Sequence, residues 1–253
     1  MEARTRGSMS GDSCLVTRLE RFIELTEREA ALVARMEETE KPLSSGQTIV
    51  NAGDTSNGIF VLKYGWAIVR SQSVRGRSHI LRIYLPGEVI GLGELGPDRA
   101  PHSIMMQTDG VVCPFPREGL SEMLRETPRL AALLNALSSL DQIALRDQCT
   151  ALGLMTAEDR LIQFLLQLRA RLNVANVGMG NRFHLPFSQA EISEAVGMTP
   201  VYVNKLLRKM VSQGRVEIDR PYIRLLDREG MESQVGFRNR FDAIDKTWFP
   251  KAA

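Results

Sequence analysis

The side chains best suited to catalysis or metal binding are few and scattered in this chain of 253 residues. Its histidines and cysteines lie far apart: His79, His102, His184, Cys14, Cys113 and Cys149. No pair of cysteines has the spacing of metal ligands, and the sequence contains neither a phosphate-binding glycine loop nor a nucleophile elbow. We therefore expect reduced thiols, no metal site and no enzyme active site.

One stretch has a charge pattern that suits a polyanion. Between Glu194 and Glu217 there is no acidic residue, whereas four residues are basic: Lys205, Arg208, Lys209 and Arg215. The formal net charge of +2 is too small to indicate nucleic-acid binding, so the placement of these charges must carry the prediction. A helical face that is basic and free of acids attracts the phosphate backbone of DNA.

The residues that must position these cations carry helix start and stop signals. In SQAEISEAVGMTPVYVNKLLRKMVSQ, residues 188–213, Ser188 and Glu191 predict a capping box, and Gly197 suits a helix end with positive φ. Thr199 predicts a second N-cap, and Pro200 occupies the first turn, where its missing N–H costs nothing. Two capped helices joined by a tight glycine turn predict a helix-turn-helix, and the following RVEIDRPYIRLLD predicts a hairpin wing.

The segments before this motif predict a different architecture. Apolar residues at helical spacing between residues 15 and 38 predict two short helices, the second capped by Thr26 and Glu29. After Pro42, short β-rich runs alternate with glycine, proline and Asn-Gly turns. Many short, closely spaced strands predict an antiparallel barrel or jelly roll.

A long helix is predicted from about Pro128. Its apolar residues follow one heptad frame: Leu130, Leu133, Leu137, Leu140 and Ala144, then Asp147, Ala151 and Leu154. This narrow apolar stripe predicts a dimer interface, and the alternative is a helix packed on its own barrel. Asp147 argues against a simple zipper, because a buried carboxylate needs a partner. A further helix is predicted over residues 157–172, with Thr156 as its N-cap.

The order of these parts resembles that of the Crp/Fnr superfamily of transcription regulators. The resemblance covers residues 22–226, and EISEAVGMTPVYVNKLLRKM is similar to the branch with TPVxVNR in its recognition helix. It implies an α+β fold: an N-terminal antiparallel β-roll like a cyclic-nucleotide-binding jelly roll, a long dimerisation helix and a C-terminal winged helix-turn-helix. It also implies a cytoplasmic homodimer that binds double-stranded DNA at a pseudo-palindromic operator, with RNA polymerase as a further partner.

This resemblance gives the domain boundaries that we predict. Residues 1–14 form a disordered tail, 15–127 the β-roll sensor with its N-terminal helices, and 128–155 the dimerisation helix. Residues 156–226 form the winged helix-turn-helix, and 227–253 a C-terminal extension that packs on its own domain or contacts the sensor or a partner. The sequence has neither the apolar core of a signal peptide nor a run of about 18 apolar residues, so we expect no membrane association.

The resemblance also assigns DNA contacts residue by residue. Base contacts fall on Pro200, Val201 and Lys205, where the catabolite activator has Arg, Glu and Arg, so a different operator is expected. Pro200 and Val201 can touch thymine methyl groups but cannot donate hydrogen bonds to guanine. The remaining contacts that we predict, to bases or phosphates, are made by Ser188, Gln189, Thr199, Tyr202, Asn204, Arg208 and Lys209.

The effector is the least defined part of the prediction. PGEVIGLGEL resembles the stretch that leads into the family's phosphate cassette, which places Gly93, Glu94 and Leu95 at a ribose. His102 and Ser103 stand where the family has Arg-Ser, and the loop before them is about two residues short. Only Arg99 or a protonated His102 could supply the missing positive charge. The expected effector is therefore unknown, and cAMP is disfavoured.

The family's other sensing modes also find little support. An iron–sulfur cluster would need clustered cysteines, and a haem would have only His79 as a conceivable axial ligand, so neither cofactor is predicted. The rival hypothesis of another class is a cyclic-nucleotide-binding-like module whose C-terminal domain contacts proteins. The acid-free basic helix favours DNA.

Overall fold

The computed structural model describes residues 13–55, 58–74, 76–176, 178–242 and 244–251. Its helices are α1 (Cys14–Leu19), α2 (Glu27–Arg35), α3 (Arg117–Glu126), α4 (Pro128–Leu154), α5 (Ala157–Ala175), α6 (Gln189–Val196), α7 (Pro200–Ser212) and α8 (Arg228–Val235). Its strands are β1 (Lys41–Leu43), β2 (Thr48–Val50), β3 (Gly58–Tyr64), β4 (Ala67–Gln72), β5 (Ser78–Tyr84), β6 (Val89–Ile90), β7 (Ser103–Met106), β8 (Gly110–Pro116), β9 (Arg182–His184), β10 (Val216–Asp219) and β11 (Tyr222–Leu225).

The first eight strands form the antiparallel β-roll that the sequence predicts. One four-stranded sheet has the order β1-β8-β3-β6 and the other β2-β7-β4-β5, with every pairing antiparallel. Apolar side chains from both sheets, including Leu62, Ile90 and Ile104, meet in one buried cluster. The two faces of apolar residues thus close on each other, which is how short strands bury a core.

Three helices complete the sensor. In α2, Thr26 and Glu29 form the expected capping box. Residues 1–12 of the predicted disordered tail lie outside the described residues, and the helix α1 starts at Cys14 with Ser13 as its N-cap. The helix α3 was not predicted, because Pro114 and Pro116 make the end of β8 look like a loop. It buries Leu120 and Met123 against the N-terminal helices.

The C-terminal domain is a winged helix. The strands β10 and β11 form the predicted hairpin, and β9 joins them as the third strand. The helix α8, which lies in the extension and was not predicted, buries Met231 in the core of this domain. Among the described residues, none of the helices combines the length and apolarity needed to cross a bilayer.

The two domains share apolar and ionic contacts. Trp66 of the sensor lies edge-on to Phe187, with ring centroids 5.6 Å apart, inside a cluster that includes the core of the winged helix. Glu88 is buried and accepts from Arg171 of α5 at 2.6 Å and from Arg18 of α1 at 2.8 Å, with Arg82 at 3.4 Å. Burial raises the pKa of Glu88, but the three guanidinium groups outweigh it and hold this pKa at about 2.

Candidate nucleic-acid interface

Local hydrogen bonds build the helix-turn-helix as the sequence predicts. The Ser188 hydroxyl accepts from the Glu191 amide at 3.2 Å, and the Glu191 carboxylate accepts from the Ser188 amide at 2.8 Å. Gly197 ends α6 in the left-handed region at φ 66°. Thr199 then caps α7 by accepting from the Tyr202 amide at 3.3 Å. These caps satisfy helix-end amides and fix where α7 begins.

The outer face of α7 presents a stripe of mixed chemistry. Val203, Leu206 and Met210 are buried, so the residues between them point outward. The stripe consists of Val201, Lys205 and Arg208, spaced to share one helical face. Val201 is 81% exposed, although it has the apolar side chain of a core residue.

The neighbours of this stripe add polar and cationic groups. Tyr202 is 41% exposed, and the Lys205 ammonium lies 6.0 Å from the centre of its ring. Pro200 and Thr199 are exposed at the helix start, and Asn204 is half-buried. Neither Lys205 nor Arg208 joins an ion pair within the part of the chain that the structure describes. These two cations are therefore available to an anionic partner.

The other two cations of the predicted basic set are differently placed. Lys209 contacts Glu158 of α5 at 2.5 Å, and Arg215 contacts the same carboxylate at 3.4 Å. Arg215 lies beyond the end of α7 and is largely buried, so its assignment to the outer helical face was wrong. Glu158 could not be identified from the sequence, because it precedes Lys209 by 51 residues.

The start of α6 faces the sensor. The Gln107 amide nitrogen donates to the Glu191 carboxylate at 2.8 Å and to the Pro186 carbonyl at 3.0 Å. Glu194, on the next turn, contacts Arg70 at 3.0 Å and accepts from the Ser78 hydroxyl at 3.0 Å. The predicted phosphate contacts Ser188 and Gln189 lie in this same first turn, exposed and half-buried respectively. No local pattern in the sequence predicts these contacts, because Gln107 and Glu191 are 84 residues apart.

The helix α4 spans the predicted length, but its apolar stripe does not face outward. Leu130 and Leu133 are fully buried in the sensor core, and Leu137 packs against the same cluster. Placing Leu130 and Leu133 in a dimer interface was therefore wrong, because they already contact their own chain. Leu140 and Ala144 are half-buried, and Asp147 finds its partner in Arg240, at 3.3 Å.

A second face of α4 is more exposed, although Leu145 and Leu152 on it also border the cavity between the sensor, α4 and α5. Leu145 is 50% exposed and Leu152 38%, and both fall in a second heptad frame of the same helix. The six residues of this frame, which we call the outer face of α4, are Asn135, Ser138, Gln142, Leu145, Cys149 and Leu152. This second heptad frame contains polar residues, so the sequence did not predict it as an interface. The leucine-rich stripe matches a heptad pattern more closely.

The predicted effector residues separate into two groups. Gly93, Glu94 and His102 line a cavity of about 470 Å³ between the sensor, α4 and α5. Burial raises the pKa of Glu94, while Arg82 acts in the opposite direction. Arg82 is itself paired with Asp141 at 2.7 Å, so it is not a free cation for an anionic ligand.

The remaining effector residues hold loops together. Arg99 donates to the Gly53 carbonyl at 2.9 Å, and Ser103 accepts from the Ala52 amide at 3.0 Å. Leu95 packs against the sensor core. In this arrangement Arg99 does not take the place of the arginine that the family has at the position of His102.

Comparison with known proteins matches both domains. Residues 40–127 match the family described as the cyclic nucleotide-binding domain, and residues 159–234 match the Crp-like helix-turn-helix domain. The chain is 27% identical over 196 residues to the transcriptional activator protein FnrA of Stutzerimonas stutzeri, covering 78% of this chain and 80% of that protein. It is 24% identical to the fumarate and nitrate reduction regulatory protein of Escherichia coli K12, covering 88% of this chain and 89% of that protein.

A solved structure shares the fold. FixK2 from Bradyrhizobium japonicum superposes with a TM-score of 0.69 at 21% identity, covering 77% of this chain and 96% of FixK2. At this level of identity the similarity shows a shared fold.

Proposed function

Since the chain belongs to the Crp/Fnr superfamily of DNA-binding transcription regulators, we propose that it binds a pseudo-palindromic operator as a homodimer through the outer face of α7. The observation that carries the proposal is the exposed stripe of Val201, Lys205 and Arg208 on a capped helix. Lys205 can donate to base acceptors in the major groove, and Val201 suits the methyl group of thymine. Arg208 meets the phosphate backbone.

The caps of the two helices complete the contact surface. Ser188 and Gln189 at the start of α6, and Thr199 at the start of α7, lie at helix N-termini, where amide dipoles favour phosphate groups. Tyr202 and Asn204 add polar contacts beside the stripe. Lys209 has a smaller role than the basic pattern alone suggests, because Glu158 neutralises it.

The second copy of the chain docks on the outer face of α4. Leu145 and Leu152 occupy d positions and Cys149 an a position, which gives a parallel pair of helices a partly apolar contact. A two-fold axis along α4 places both copies of α7 on one side of the dimer. Such a dimer reads two half-sites about one DNA turn apart, roughly 34–36 Å.

The regulator acts in the cytoplasm without cAMP, and RNA polymerase is its proposed partner at promoters. We base the independence from cAMP on two features of the cavity: His102 stands where the family has arginine, and Arg82 is already paired with Asp141. The family supports regulation of transcription rather than catalysis. The effector, if one enters this cavity, differs in chemistry from a cyclic nucleotide.

Salt dependence of DNA binding tests the function directly. Fluorescence anisotropy with a genomic operator fragment should show affinity that falls steeply with salt, by about 0.9 in log–log slope for each phosphate contact. Arg208→Ala should reduce the slope by about 1. Binding that is weak, shallow in salt and indifferent to sequence would favour the rival hypothesis, a protein-contacting C-terminal domain.

A further inference from the structure

The C-terminal strap, described over residues 236–242 and 244–251, lies beyond both regions matched to known families and contacts the two domains. It leaves α8 at Gly236, which adopts φ 61° and turns the chain away from the helix. Phe237 packs against the winged-helix core, while Phe241, Ile244 and Phe249 pack against the sensor core. The strap therefore touches both domains at once.

Polar contacts fix the course of the strap. Arg240 pairs with Asp147 in the middle of α4 at 3.3 Å. Further along, the Lys246 ammonium donates to the Phe22 carbonyl, beside α1, at 2.9 Å. The strap is thus covalently attached to the winged helix alone and reaches the sensor through noncovalent contacts, which add to the α4–α5 turn in linking the domains. Because the strap is tethered to the winged helix, these contacts form at a high effective concentration.

The arrangement that the strap favours covers part of the proposed DNA surface. Gln107 of the sensor lies within hydrogen-bond distance of Glu191, in the same turn as Ser188 and Gln189. Arg70 and Ser78 hold Glu194 one turn later. Gln189 is half-buried in this arrangement, whereas Ser188 and the outer face of α7 stay exposed. The sensor therefore limits access to the start of α6 and leaves α7 open.

We propose that the strap is an intramolecular clamp that opposes operator binding by holding the winged helix on its own sensor. The clamp rests on the proposed function, because it acts on DNA binding. Releasing the strap shifts the chain toward the open arrangement, in which the first turn of α6 is free for phosphate. Both family-matched regions end before the strap, so the clamp is an addition to the matched DNA-binding domain.

The test uses variants in which release of the clamp should strengthen operator binding, whereas the loss of positive charge alone should weaken it. The chain ended after Gly236, Lys246→Ala and Arg70→Ala are each compared with the full chain for operator affinity at fixed salt. Arg70→Ala and Lys246→Ala each remove a positive charge, which by electrostatics alone weakens DNA binding. The clamp predicts tighter binding in all three, by about tenfold for the truncation if a tenth of the full chains are open. Lys251→Ala, an exposed lysine of the same strap, is the matched control and should leave affinity unchanged.

Structural measurements distinguish release of the strap from misfolding of a variant. Circular dichroism must show that each variant is folded, and amide exchange at residues 186–191 should rise when the strap is cut. If the truncated chain does not fold, Lys246→Ala and Arg70→Ala decide. Folded variants that bind the operator equally or more weakly overturn the clamp and leave the proposed function standing. Failure of the full chain and every variant to bind DNA overturns both.

Discussion

At the residue scale, the charge that α7 can offer to DNA depends on which of its cations already have partners. Ser188, Gly197 and Thr199 act at the helix ends as expected, because capping depends on neighbours three residues away. Contacts with residues distant in sequence could not be predicted. Glu158 pairs with Lys209 and so reduces its free charge, and Gln107 forms a hydrogen bond at the start of α6. Neither contact can be predicted from neighbouring residues, because the partners are distant in sequence.

The two free cations of α7 should have separable roles. Lys205→Ala should relax preference at one base pair in each half-site, at a cost of about 1–3 kcal/mol in operator affinity. Arg208→Ala should weaken binding to all sequences alike, because phosphates carry no sequence information. Affinities for a set of single-base operator variants measure both effects.

Lys209→Ala provides the matched control for these two substitutions. It removes the same charge from the same helix, but from a side chain already paired with Glu158, so its effect should be smaller than that of Arg208→Ala. An unchanged operator affinity in Lys205→Ala would show that the outer face of α7 is oriented differently from our proposal.

Glu88 should make the free energy of unfolding depend on pH in the acidic range. Its pKa is held near 2, below the ordinary value of 4.5, so its ionised form stabilises the folded state above about pH 4.5. That contribution is lost as the pH falls from 4.5 toward 2. Chemical denaturation across this range should show a slope that is smaller in Glu88→Gln, and the variant should lose about 3–5 kcal/mol at neutral pH.

At the element scale, strands and capped helices were easier to predict than the packing of the long helix. The heptad spacing in α4 is real, but it fits a helix packed on a folded domain as well as one packed on a second chain. Leu130 and Leu133 belong to the sensor core, while Leu145 and Leu152 remain partly exposed. The helix α3 was not predicted because it follows a strand that contains prolines. The helix α8 was not predicted because its short apolar face lies in a charged segment.

The two faces of α4 should therefore respond differently to charge. Leu145→Asp with Leu152→Asp places carboxylates in the proposed contact between subunits and should give a folded monomer by light scattering. Leu133→Ala should instead reduce the free energy of unfolding by about 2–5 kcal/mol, because it leaves a cavity in the sensor core. Urea denaturation measures the second effect.

Cys149 allows a direct check of the same face. On a parallel pair of helices the two thiols at an a position lie close together, so a short bismaleimide should join the subunits. Cys149→Ser, which leaves the buried Cys113 in place, should abolish the product. A stable dimer that resists this cross-link would place the interface elsewhere.

At the scale of the whole molecule, domain order could be predicted and domain contacts could not. The β-roll, long helix and winged helix follow from local patterns of strands, heptads and caps. The burial of Trp66 between the domains, the three arginines around Glu88 and the course of the strap depend on residues distant in sequence. In our proposal, those contacts limit access to the start of α6.

The whole chain should not respond to cAMP. Titration calorimetry at neutral pH should show no binding in the micromolar range, and operator affinity should be unchanged by the nucleotide. The reason is electrostatic, because Glu94 adds negative charge to a cavity whose Arg82 is already paired with Asp141. Tight binding of cAMP would contradict this part of the proposal.

A genomic footprint of the bound protein tests the central proposal most directly, because it reports sequence preference and symmetry together. We predict protected sites that share a pseudo-palindrome, with half-site centres about 10 base pairs apart. The preference should change at a symmetric pair of positions when the footprint is repeated with Lys205→Ala. Protection without a shared motif, or an asymmetric motif that Lys205→Ala leaves unchanged, would contradict a dimer that reads DNA through α7.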